Sequence, residues 1–173
     1  MTGGTKTGPG SRSHRAAENI TFDSIDQRIL DILQRDSEVP ITAISEEVGL
    51  SATPCWRRVK RMEEAGLIKG RVALVDQKRA NVPMIIFIGV TASRHEISWL
   101  NQFRALIEDI PEITEAYRLT GTVDYILKVV VPDVATYDRV YKQMIERLEF
   151  NQINSMISME ELKFTTAIPT RYL

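Results

Sequence analysis

From Phe22 onward, apolar residues recur at helical spacing. Ile25, Ile29, Ile32 and Leu33 share one face, Asp23 or Ser24 stands where a cap belongs, and the pattern predicts a helix ending near Arg35 or Asp36. A short second helix follows, capped by Thr42, with Ile44 and Val48 inward. Gly49 permits a turn that other residues resist, Leu50 anchors it, and Ser51 opens a third helix that runs to about Ala65 and ends at Gly66. Three short helices with a tight turn between the last two read as a helix-turn-helix. Leu67 to Val75 alternates imperfectly around Gly70 and is expected to form a small hairpin, or one strand leading into a polar hinge at 76–82.

The second half changes period. Pro83 to Ala92 reads as a buried strand, and Ile97, Leu100, Phe103, Leu106 and Ile107 mark a helix. Ile113 to Thr120 and Asp124 to Val131 are two more strands separated by a turn at Gly121-Thr122. Pro132 stops the third strand, and Asp133 caps a helix carrying Val134, Tyr137, Tyr141, Met144, Ile145 and Leu148. Ile153 to Phe164 is a long last strand. The order βαββαβ is the split βαβ, ferredoxin-like arrangement, so the fold class is α+β. Two helices cover one sheet face; the other must be solvated, bind something or pair with a second subunit.

Composition narrows the classes. The 173 residues are 43% hydrophobic, too apolar for a largely disordered chain. A single cysteine excludes an internal disulfide framework, and no Cys/His cluster is spaced for a structural metal. No apolar run reaches membrane length and no signal-peptide pattern opens the chain, so a cytoplasmic protein is expected. Met1 to Asn19, rich in Gly, Thr and Ser, reads as a flexible, mildly basic arm. No catalytic triad, phosphate-binding loop or spaced carboxylate pair is present; neither enzymatic activity nor a cofactor is expected.

The total charge of −1 hides a local concentration. Between Ser51 and Arg71, six cations face two glutamates, a local +4. On a helical wheel Ala52, Cys55, Val59 and Met62 gather on one side; Thr53, Arg57, Lys60, Arg61 and Glu64 gather on the other. The major groove admits one helix, and the residues at its N-terminus reach base edges. Ser51, Ala52, Thr53, Pro54 and Arg57 occupy that position, with Arg57 suited to a bidentate contact with guanine. Arg58, Lys60, Arg61, Lys69 and Arg71 are better placed for phosphates. Trp56 lies along the sugar–phosphate backbone or covers the wing. A merely solvated basic face is the competing reading, disfavoured by the two helices and the turn that precede it. Cys55 turns inward and reads as a packing residue.

Two stretches resemble the Lrp/AsnC (feast/famine) regulators. The first is Asp26-Gln27-Arg28-Ile29-Leu30-Asp31-Ile32-Leu33-Gln34-Arg35-Asp36. The second is Val48-Gly49-Leu50-Ser51-Ala52-Thr53-Pro54-Cys55-Trp56-Arg57-Arg58-Val59-Lys60-Arg61-Met62-Glu63-Glu64-Ala65-Gly66-Leu67-Ile68. Tyr117 to Leu127 looks like the family's Gly-x-x-Asp segment, and the resemblance runs from Ile20 to the C-terminus. Where the family usually has Leu-Ala, this chain has Ile44-Ser45.

The resemblance implies a winged helix-turn-helix (20–75), a linker (76–82) and a ferredoxin-like effector and oligomerisation domain (83–173). It implies double-stranded DNA as partner, pairing of subunits through the sheet into dimers and in many members octamers, and an amino acid or related metabolite as effector. On that reading, Gly121 permits close approach, Asp124 accepts from an α-ammonium group, and backbone N–H groups of Thr120, Gly121, Thr122 and Val123 hold a carboxylate. Tyr125, Asn154, Ser155 and Ser158 are weaker candidates to complete the pocket. The competing reading of Asp124 is a β-turn residue that merely caps the next strand. The C-terminal half looks most like the cysteine-responsive branch. Two other functions stay open on the residues alone: an architectural DNA-binding protein whose second domain only assembles subunits, and a small-molecule module that regulates an enzyme.

Overall fold

The computed structural model describes residues 21–173; the arm expected over Met1 to Asn19 lies outside them. The chain divides into two compact units, one ending at Val72 and taking in Thr165–Leu173, the other spanning Ala73–Phe164. The last nine residues, expected with the effector domain, therefore pack with the helical unit. Gln34 exchanges two hydrogen bonds with the Ile168 backbone (3.1 and 2.7 Å), and the Thr170 hydroxyl donates to Asp31 (2.8 Å).

In the first unit, α1 spans Ser24–Arg35, α2 Ile41–Val48 and α3 Ala52–Glu64. Asp23 caps α1 in a reciprocal box: its carboxylate accepts from Ile25 and Asp26 N–H, and its own N–H donates to the Asp26 carboxylate, all at 3.0 Å. α2 begins one residue before Thr42, with Pro40 as its cap residue. It ends at Gly49, whose φ of +76° is the left-handed conformation the turn into α3 requires. Ser51 precedes α3 without a side-chain capping bond, so its hydroxyl stays outward. Ile29, Leu30, Ile32, Ile44, Val48, Cys55, Val59 and Met62 form the core. The expected hairpin over Leu67 to Val75 is absent. Leu67 and Ile68 fold back so that both N–H groups donate to the Met62 carbonyl, and Val72, Leu74 and Val75 run exposed with no strand beside them. The hinge is a folded turn, closed by Ala80 N–H to the Asp76 carbonyl and Val82 N–H to the Gln77 carbonyl.

The second unit is a four-stranded antiparallel sheet, β1 Met84–Ala92, β2 Ile113–Arg118, β3 Tyr125–Val131 and β4 Phe150–Ile157, in the order β2-β3-β1-β4. This is the ferredoxin-like order. α4 (Ile97–Asp109) and α5 (Val134–Arg147) cover one face. β4 stops well short of Phe164; the last sheet contact is Ser158 N–H to the Ile85 carbonyl. Ile86, Ile88 and Val90 of β1 and Leu127, Val129 and Val131 of β3 point to the helices, where Trp99, Phe103, Leu106, Val140 and Met144 meet them. Ile97, Val134 and Ile145, expected inward, are exposed, and Trp99 and Val140 take the inward positions. The opposite face carries Ile85, Phe87 and Gly89 of β1, paired across to Val130, Lys128 and Ile126. Met156 and Asn154 of β4 flank Phe87 and Gly89. Among the described residues no helix covers this face, and Met156 at its centre is half exposed.

Candidate nucleic-acid interface and effector site

α3 has two chemically distinct sides. Cys55, Val59 and Met62 are fully or nearly buried, while Ser51, Thr53, Pro54, Trp56, Arg57, Lys60 and Arg61 are exposed and Ala52 is half-buried. Burial pushes the Cys55 thiol pKa up, opposed by the nearby Arg58 charge, so this cysteine is a packing group and not a reactive one. Trp56 is about half exposed. It borders a groove with Lys60 and Glu63 of α3 and with Arg71.

The six cations sort into three classes. Arg58 donates to Asp23 (2.9 and 2.8 Å) and Asp26 (2.9 Å), and Arg61 donates to Asp26 (2.6 Å) and lies 5.6 Å over the Phe22 ring. Both were expected to reach phosphates; in this structure α1 places a carboxylate pair within their reach. Those carboxylates hold the Arg58 pKa above its ordinary range, Asp26 most strongly, and the Asp26 N–H and then Arg58 hold Asp23 below the usual carboxylate value. Lys60 and Arg71 share Glu63 at 3.4 and 3.3 Å in exposed pairs, which are worth about 0–1 kcal/mol and yield readily to a phosphate. Arg57 and Lys69 are exposed with no acidic partner among the described residues. Arg57, in the second turn of the helix, is the cation of its N-terminal half that has no acidic partner among the described residues.

The effector candidates scatter. Thr120, Gly121 and Thr122 form an exposed turn after β2, with Gly121 at φ +130°. The Asp124 carboxylate accepts the Ala92 N–H at 2.9 Å, and its backbone N–H donates to the Val90 carbonyl. It caps the end of β1 and has one carboxylate oxygen to spare. Tyr125 turns the other way; its ring packs with Phe103 (4.8 Å between centroids) and Trp99 in the helix-side core. Ser155 also faces the helices and shares a hydrogen bond with the Tyr137 hydroxyl. Ser158 lies beside Ile85, at the other end of β1, in a separate groove lined by Leu74, Val75, Pro83 and Phe164. Only Asn154 stands near the turn.

Gly89, which the sequence reading passed over, explains the turn's placement. A Cβ there would meet Val123 Cγ1 at 3.3 Å and Asn154 Cβ at 3.9 Å, so Val123 folds over the open face of β1 because Gly89 leaves room. A glycine inside an otherwise apolar strand was the available signal. Among the described residues no group of His, Cys, Asp and Glu gathers to hold a metal, and no helix is long and apolar enough to cross a membrane.

Comparison with known proteins agrees with this architecture. Residues 85–168 match the family described as Lrp/AsnC ligand binding domain, and residues 22–69 match winged helix-turn-helix DNA-binding. The chain is 45% identical over 152 residues to the HTH-type transcriptional regulator Zrp of Zymomonas mobilis, covering 88% of this chain and 99% of that one. It is 33% identical over 149 residues to the DNA-binding transcriptional activator DecR of Escherichia coli, covering 86% and 98%. A crystal structure of an AsnC family regulator from Agrobacterium tumefaciens superposes with a TM-score of 0.85 at 44% identity, over 88% of this chain and 99% of that one. A Neisseria meningitidis transcriptional regulator solved as its L-Met complex does so at 0.83 and 29%, over the same shares. These relatives are transcriptional regulators, not enzymes. By its identity to them and the match of its second unit, the chain belongs to the Lrp/AsnC family of transcriptional regulators.

Proposed function

We propose that this regulator binds duplex DNA through α3 and the segment up to Arg71, and that an amino acid or a close relative of one changes that binding or the assembly that supports it. The observation that carries the DNA reading is the two-sided α3: its apolar side is consumed by the core, while Ser51, Thr53 and Arg57 at its N-terminal end and Lys60 beyond them are exposed. The division into a DNA-binding part (20–75), a connector (76–82) and an effector part (83–173) belongs to the same reading, which sets the protein at work in the cytoplasm, where duplex DNA is. Pairing of two copies through the open sheet face supplies the two-fold needed to read two half-sites. Ile85, Phe87, Ile126 and Met156 give that face its apolar centre.

For the effector, the neisserial relative with L-Met bound supports an amino-acid ligand. The turn Thr120 to Val123 is the favoured anchor, with Asp124 and Asn154 beside it. Tyr125, Ser155 and Ser158 are less favoured because their side chains face elsewhere. Mobility shift of genomic promoter fragments across salt concentrations tests the DNA reading, and the absence of binding removes it. A thermal-shift screen of the amino acids, cysteine included, tests the effector reading. If no amino acid moves melting, assembly or DNA affinity, the protein is architectural.

A further inference from the structure

α1 and α3 are joined by a buried charge that DNA contact alone does not explain. Asp26 has no exposed side-chain surface, and both of its oxygens are used. Oδ1 accepts from Arg58 (2.9 Å); Oδ2 accepts from Arg61 (2.6 Å) and from the Asp23 N–H (3.0 Å). The two arginines come from the helix that faces DNA and lie on successive turns of it. Resting on the DNA-binding reading, we infer that Asp26 is a positioning residue for DNA recognition. It seats α3 on α1 at a set angle and retains Arg58 and Arg61, so they do not neutralise phosphates.

The physics favours retention over release. An arginine that left Asp26 for a phosphate would take one of two cations from a carboxylate with no exposed surface, and leaving a buried charge less compensated is destabilising. A phosphate gained on the outside is largely an exchange of counterions. The exposed pairs of Lys60 and Arg71 with Glu63 carry no such penalty. Four cations per subunit are thereby available to DNA (Arg57, Lys60, Lys69 and Arg71) where the bare sequence offers six.

The test is the dependence of log K on log salt for the full chain on a random duplex. Each phosphate contact contributes a slope of about 0.9. Lys69→Gln is expected to lower the slope by about that amount. Arg58→Gln and Arg61→Gln are expected to leave it unchanged while lowering the melting temperature. Asp26→Asn keeps an acceptor for the Asp23 N–H, releases Arg61 and leaves Arg58 on Asp23 alone, and is expected to steepen the slope by about 0.9 while reducing the ratio of specific to random affinity. A slope lowered by about one in Arg58→Gln or Arg61→Gln overturns the inference, as does an unchanged slope in Asp26→Asn. If Asp26→Asn does not fold, the two arginine variants decide alone. DNA binding lost in the unaltered chain defeats the DNA reading itself; normal binding with either overturning slope defeats only the role of Asp26.

Discussion

Replacing Arg57 with alanine separates base reading from phosphate neutralisation. The side chain is exposed and lacks an acidic partner among the described residues, so its loss should cost the fold no more than about 0.5 kcal/mol. A bidentate contact to guanine is worth about 1–3 kcal/mol of discrimination. That corresponds to roughly a 5- to 150-fold weaker Kd at each half-site. In an assembly that reads two half-sites the factor applies twice. On random DNA the same substitution removes at most one phosphate contact, about 0.9 of salt slope. The informative quantity is therefore the ratio of specific to random affinity and not either affinity alone.

The assay begins with selection of preferred sites from a random library by the unaltered protein. Fluorescence anisotropy of both proteins then follows, on the selected duplex, on its variants at each base position and on a scrambled duplex. Arg57→Ala should lose affinity on the selected site and flatten the preference at one position per half-site. Lys69→Ala should weaken all duplexes by one factor. If Arg57→Ala weakens the selected and scrambled duplexes equally, Arg57 sits on a phosphate and the base-reading argument fails.

Further outcomes follow from the same geometry. Asp124→Asn keeps an acceptor for the Ala92 N–H and so should leave stability nearly unchanged, yet lose at least tenfold in calorimetric affinity for the amino-acid effector; unaltered affinity excludes a role in holding an ammonium group. Asp124→Ala should instead orphan that N–H and lower stability by about 1–3 kcal/mol in a urea titration. Asp23 has its pKa depressed in the folded state by the Asp26 N–H and Arg58, so its contribution is full above the unfolded value of about 3.9 and fades as pH falls through the lower folded value. Acid unfolding should accordingly lose part of its steepness below about pH 4 in Asp23→Asn, and an identical acid limb would count against the pairing. Phe87→Lys sets a second cation beside Lys128 at the centre of the open sheet face and should reduce the assembly mass measured by light scattering; an unchanged mass argues that subunits pair elsewhere.

Periodicity carried most of the fold because it is local. The Asp23 cap, the left-handed Gly49 and the alternation of β1 and β3 all depend on residues within a few positions of one another. The wing hairpin failed because Gly70 breaks the alternation and Leu67 and Ile68 are drawn back to the end of α3. The ion pairs of Arg58 and Arg61 were not legible for the opposite reason. Arg58 and Arg61 lie 32 and 35 residues from Asp26, and charge tallies along a segment cannot see a partner that tertiary packing delivers. The effector candidates do not share one face, and the strand period already implies as much. Neighbours on a strand face opposite ways, so Asn154 and Ser155 cannot both line one pocket on the sheet face, and Tyr125 belongs to the side of Leu127 and the helices.

The corrected geometry joins two features the sequence left separate. Val123 lies over Gly89 with Asn154 beside it, on the same sheet face whose apolar centre is Phe87, Ile126 and Met156. A ligand held at the Thr120 to Asp124 turn would therefore border the surface through which copies are proposed to pair. Whatever it contributes to that contact must appear as a difference in its affinity for paired and unpaired subunits. Linkage then makes the effect reciprocal: assembly strengthens or weakens ligand binding by the factor with which ligand shifts assembly. DNA need not touch the effector for its affinity to change. On the proposed pairing, two copies of α3 presented together would bind two half-sites and one copy only one, so a shift in assembly at the sheet face would be read at the groove.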